Sequence, residues 1–92
     1  MSFPASFLRA AFVAELKMSA DTRDADAWHE LGSALVEAGD RAGACAALRH
    51  ALRIDPWRAR TLRALGNLLF DSGQFENALE YFERLGHVRF NG

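Results

Sequence analysis

Cysteine is almost missing from this 92-residue chain: Cys45 is the only one. No intramolecular disulfide can form, so packing has to hold the fold. Proline occurs twice, at Pro4 and Pro56, which leaves long stretches free to be helical. No apolar run reaches the roughly 18 residues that a membrane span needs. No Lys/Arg-led apolar stretch opens the chain, so it does not read as a secretory signal. An excess of one charge is also missing, the net being −1. A nucleic-acid binder would carry a net positive face, so no nucleic acid is expected. His29, His50 and His87 lie far apart in sequence and match no zinc spacing. Asp24 and Asp26 lie near His29, but helix capping and solvation account for them better. There is no Gly-rich phosphate loop. Cys45 has no histidine on its helical face and reads as a small core residue, not a nucleophile. These absences predict no enzyme activity, no metal, no cofactor and a cytoplasmic location.

What is present is one small globular domain's worth of sequence, 50% hydrophobic and 25% charged. It repeats itself. Ala25-Asp26-Ala27-Trp28-His29-Glu30-Leu31-Gly32 is answered by Ala59-Arg60-Thr61-Leu62-Arg63-Ala64-Leu65-Gly66, at a constant offset of 34 residues. The offset persists from Leu35 to Leu69, Gly39 to Gly73, Ala44 to Ala78 and Leu48 to Phe82. A fixed period of this size means one supersecondary unit used twice, burying its apolar faces by stacking.

Apolar spacing within each copy is helical. It predicts helices over about 25–38, 41–54, 59–72 and 75–85. Asp24 stands as an N-cap, Gly39-Asp40 and Ser72-Gly73 as turns, and Asp55-Pro56 as a stop. Gly86 is expected to close the last helix as a left-handed C-cap. A further amphipathic helix is predicted over 3–20, where Phe7, Ala10, Ala11, Ala14 and Met18 share a face. Packing against the repeats suits it better than a membrane surface, because only Arg9 and Lys17 supply positive charge. Charge is segregated along the chain. Residues 21–40 carry six acids against Arg23, and residues 41–63 carry six arginines against Asp55. Attraction between neighbouring repeats and steering of a ligand both explain that pattern.

The repeating unit resembles the tetratricopeptide repeat, a helix-turn-helix. Trp28, Leu31, Gly32, Leu35, Gly39, Ala44, Leu48, Ala51 and Pro56 carry the resemblance in the first copy. Leu62, Leu65, Gly66, Leu69, Gly73, Phe75, Ala78 and Phe82 carry it in the second. It implies an all-α helix-turn-helix repeat stack, an α-solenoid of two such units plus the N-terminal helix. The chain divides accordingly into the N-terminal helix, repeat 1 (25–58), repeat 2 (59–86) and a tail (87–92). Mid-helix Gly32 and Gly66 then mark close helix–helix approach, since glycine there otherwise costs about 1 kcal/mol.

In that family the first helix of each unit lines a concave groove that holds an extended peptide. The resemblance therefore implies groove positions at Asp26, His29, Glu30, Ser33 and Glu37, with Arg60, Arg63, Asn67 and Asp71 from the second unit. Arg63 followed four residues later by Asn67 is similar to part of the carboxylate clamp of chaperone-binding members, which draws on three units. The implied function is a protein-interaction module that binds a peptide or partner helix. Two other readings stay open. One is a small chaperone or assembly subunit that oligomerises, as a homodimer for example, through apolar ends bearing Phe75, Leu79, Phe82 and Phe90. The other is a regulatory fragment of a larger enzyme.

Overall fold

A computed structural model of the chain describes residues 24–91, with side chains through Val88. The expected helix over 3–20 and the side chain of Phe90 lie outside the described residues. Four helices follow one another: α1 (Ala25–Glu37), α2 (Arg41–Ile54), α3 (Ala59–Asp71) and α4 (Phe75–Asn91). There is no strand among the described residues. α1 packs against α2 and α3 against α4, and α2 meets α3 where the two hairpins stack.

The ends of these helices follow from local chemistry. Asp24 caps α1, its carboxylate accepting from the N–H groups of Asp26 at 2.9 Å and Ala27 at 3.3 Å. Asp40 caps α2 by accepting from Gly43 N–H at 2.9 Å. The turn inside each hairpin is the same Schellman closure. Gly39 takes φ 83° and Gly73 φ 81°, a left-handed conformation that suits glycine. The next N–H then reaches back five residues, from Asp40 to Leu35 O and from Gln74 to Leu69 O, each at 2.9 Å. Asp55, ahead of Pro56, turns extended at φ −134° and stops α2.

The expected helix end at Gly86 is corrected. α4 runs on through Gly86 to Asn91, and Gly86 has no positive φ. The physical reason is Val88, three residues beyond the buried Leu85, which extends the apolar stripe and packs on the core. A glycine after an apolar stripe ends a helix only if the stripe ends there too.

The core is a seam of small and branched side chains. Leu48, Leu62, Leu65 and Leu69 are fully buried beside Ala44 and Ala78. Cys45 is buried in the same cluster. Gly32 and Gly66 are where the helices of each hairpin come closest. A Cβ on Gly32 would stand 2.8 Å from Leu48 Cδ2, and one on Gly66 would stand 2.6 Å from Phe82 Cε1.

Two opposite outcomes are expected from one kind of substitution. Gly32→Ala should destabilise the fold by about 1–3 kcal/mol, because buried Leu48 has nowhere to retreat. Gly86→Ala meets no neighbour within 4 Å and should stabilise by up to about 1 kcal/mol, as alanine does in any helix interior. Thermal unfolding of the two variants checks both signs.

Candidate functional site

The groove positions implied by the sequence all fall on α1 and α3, the first helices of the two hairpins. Glu30 and Glu37 are exposed on α1, and Ser33 is half-buried. Arg60, Arg63, Asn67 and Asp71 are exposed on α3. Arg60, Arg63 and Asn67 lie at i, i+3 and i+7 and so share one face of that helix. Among the described residues neither Arg60 nor Arg63 forms an ion pair.

Two positions sit differently from a simple groove lining. His29 is only 6% exposed, so its ring lies beneath the surface. Its Nδ1 is 2.9 Å from Thr61 Oγ1. Asp26 is exposed but already engaged, forming a salt bridge with Arg58 Nη2. Arg58 Nη1 also donates to Thr61 Oγ1 at 2.8 Å. Asp26, Arg58, Thr61 and His29 thus form one polar chain that ties α1 to the start of α3.

Arg58 and Thr61 are the residues that sequence reasoning missed. Arg58 occupies the N-cap of α3, where an Asp or Ser would be usual, and makes no side-chain cap bond there. Its side chain reaches across the hairpin boundary instead. The two inter-hairpin pairs, 26 with 58 and 29 with 61, share a spacing of 32 residues. That spacing is a signal once a repeat of 34 is known, because stacked units meet slightly out of step.

Arg58 donates to Thr61 Oγ1, which still has a second lone pair and its own proton to share with His29 Nδ1. A neutral imidazole with its proton on Nε2 accepts from that hydroxyl, and the other tautomer donates to it. Burial holds the His29 pKa below the ordinary histidine value, Arg60 pushes it the same way, and Glu30 opposes them. Next to His29 on α1, Trp28 packs edge-on to His50 of α2, with ring centroids 4.0 Å apart.

No three His, Cys, Asp or Glu side chains converge as metal ligands among the described residues. No described helix is long and apolar enough to cross a membrane.

The hairpins, their shared turn and the paired glycines define a helical-hairpin repeat protein. The chain belongs to the tetratricopeptide repeat family, whose model matches residues 35–91. Repeats of this family mediate protein–protein interaction, and the family is one of non-catalytic interaction modules. Comparison with curated proteins gives no match. Among solved structures, the chain is similar to a crystal structure of MamA, with a TM-score of 0.86 at 20% identity, covering 94% of this chain and 50% of that one. MamA AMB-1 gives a TM-score of 0.81 at 22% identity, covering 90% of this chain and 48% of that one. At such identities the likeness is one of fold. The chain spans about half the length of these solved chains.

A pH dependence follows from His29. The unfolded chain takes up the histidine proton near the ordinary value of 6.5, whereas the folded chain takes it up only at lower pH. Stability should therefore be full above about pH 6.5 and fall as the pH drops below it, until the folded form is protonated too. Denaturant midpoints at pH 7.5 and 5.5 should differ more for the native chain than for His29→Gln, whose carboxamide can accept from Thr61 without titrating. Equal differences would remove His29 from the account.

Proposed function

We propose that the chain is a protein-interaction module that holds an extended peptide or partner helix against α1 and α3, with an acidic group or C-terminal carboxylate at Arg60, Arg63 and Asn67. The observation that carries this reading is that the two arginines are exposed on one face of α3 and form no ion pair among the described residues. The pairing of Asp26 with Arg58 takes up one acid of the groove; Glu30, Glu37 and Asp71 still outnumber Arg60 and Arg63, so the positive charge is local to the start of α3. Arg63 and Asn67, one turn apart, can hold a carboxylate through charge-assisted hydrogen bonds. His29 then acts from below, fixing α1 against α3, and does not touch the ligand. No step of this reading involves catalysis, metal or cofactor. It keeps the chain in the cytoplasm, where a lone thiol such as Cys45 stays reduced.

A second reading has its own observation. Phe70, Phe75 and Leu79 are 54%, 59% and 55% exposed, and the Phe70 and Phe75 rings meet edge-on with centroids 5.1 Å apart. An apolar patch of this kind marks an interface. It supports self-association, as a homodimer, alongside peptide binding. A role as the regulatory part of a larger enzyme has no comparable observation behind it.

Titration with an acidic peptide bearing a free C-terminal carboxylate tests the first reading. Arg63→Ala should weaken binding by about 1–3 kcal/mol, the range of a lost charge-assisted hydrogen bond. Arg41→Ala, an equal change of charge at the start of α2, should leave it unchanged, and added salt should weaken it. Equal losses for the two variants would overturn the groove assignment. Sedimentation tests the second reading. Leu79→Asp should abolish a dimer while leaving the melting temperature nearly unchanged, because Leu79 lies outside the core. A native chain that stays monomeric at high micromolar concentration would sink it.

A further inference from the structure

The second helices of the hairpins, α2 and α4, contribute nothing to the groove considered above. Between them lies a shallow cavity of about 210 Å³, lined by Arg49, Leu52, Arg53, Tyr81 and Arg84. Three of those five side chains are guanidinium cations. Arg49 and Arg53 stand one turn apart on α2 and share a face. Both are exposed, and neither forms an ion pair among the described residues.

Arg84 is held differently. Its side chain is 28% exposed. Its guanidinium carbon lies 5.6 Å from the Tyr81 ring centroid and 5.8 Å from the Trp57 ring centroid, within cation–π range. Glu80 lies one turn back, with Oε1 3.6 Å from Arg84 Nη2, beyond a hydrogen bond. Two rings thus position one guanidinium, and Arg49 and Arg53 line the same furrow from the neighbouring helix. Gathering like charges in one furrow is unfavourable unless something offsets it, and Glu80 offsets only one of the three.

We propose that the furrow between α2 and α4 is a phosphate site, and that its occupant is a phosphorylated side chain of a partner protein. Charge selects the ligand. Three arginines less Glu80 leave two positive charges, and a phosphomonoester carries roughly −1.5 to −2 near neutral pH. Its three acceptor oxygens match three guanidinium forks, whereas a carboxylate has one negative charge and two oxygens. Leu52 and Tyr81 supply apolar walls for the stem that carries the phosphate. The site lies on a different pair of helices from the peptide groove and stands whether or not that groove is occupied.

Calorimetric titration of the full chain tests this with a phosphoserine peptide flanked by alanines. The arms are its unphosphorylated form, a form with glutamate at the central position, and phosphatidylcholine vesicles containing phosphatidic acid. The phosphopeptide should bind, inorganic phosphate should compete with it, and the glutamate form should bind at least about tenfold more weakly. Arg84→Ala, and Arg49→Ala together with Arg53→Ala, should each weaken binding about tenfold or more, as expected for a lost charge-assisted contact. Arg84→Lys keeps the charge but not the fork; folding checked by circular dichroism, it should also bind less tightly. Glu80→Gln should tighten binding several-fold, and Arg41→Ala should leave it unchanged. The proposal is overturned if the phosphopeptide does not bind, or if the glutamate form matches it. It is equally overturned if Arg41→Ala costs as much as Arg84→Ala, or if the vesicles bind more tightly than the peptide.

Discussion

The absence of a Cβ at two positions governs the rest of this structure. Gly32 receives Leu48 and Gly66 receives Phe82, each at a distance that a methyl group would occupy. The two helices of each hairpin can therefore close on one another, and small Ala44 and Ala78 are buried in the same seam. Close approach needs a turn that brings the chain back at once, which Gly39 and Gly73 supply with the same left-handed geometry. Two hairpins built alike present matching faces. Matching faces let Leu48 and Leu52 of α2 meet Leu62, Leu65 and Leu69 of α3 in one continuous core.

Apolar packing of that kind is tolerant of small shifts, since one leucine contact resembles another. The polar chain across the hairpin boundary is not tolerant. Asp26 reaches Arg58, Arg58 reaches Thr61, and Thr61 meets His29 only when α1 and α3 are in register. Thr61 is fully buried and His29 nearly so, and a buried polar group without a partner is costly. No buried side-chain nitrogen or oxygen among the described residues lacks a partner. The leucines thus supply most of the attraction between hairpins, and the polar chain selects one register among those the leucines would accept.

This division explains what the sequence disclosed. Periodicity is a statement about apolar and small residues, and these fixed the four helices, both turns, the stop at Pro56 and the close contacts at Gly32 and Gly66. What depends on a partner outside the repeating pattern was hidden. The end of α4 was misplaced because Gly86 looks like a cap until Val88 is seen to pack on the core. The burial of His29 was hidden because its partner, Thr61, belongs to the other hairpin. The engagement of Asp26 was hidden because Arg58 has no counterpart one repeat earlier. The exposed placing of Arg60, Arg63 and Asn67 was legible, since helical spacing alone puts them on one face.

The segregation of charge along the chain acquires a more definite meaning from the same geometry. If acidic and basic segments existed only to attract one another, their side chains would meet across the hairpin boundary. Among the described residues one pair does so, Asp26 with Arg58. The other arginines of the basic segment form no such pair among the described residues. Arg60 and Arg63 stand on α3, on the side of the first helices, while Arg49 and Arg53 stand on α2, where Arg84 joins them from α4. Unpaired like charges raise the free energy of the compact state through self-repulsion. An anion bound by the folded chain alone relieves that repulsion and stabilises the fold by mass action. Among the described residues internal attraction therefore accounts for one strut, and Arg60 with Arg63, and Arg49 with Arg53 and Arg84, make up the two surfaces proposed above to receive an anionic group.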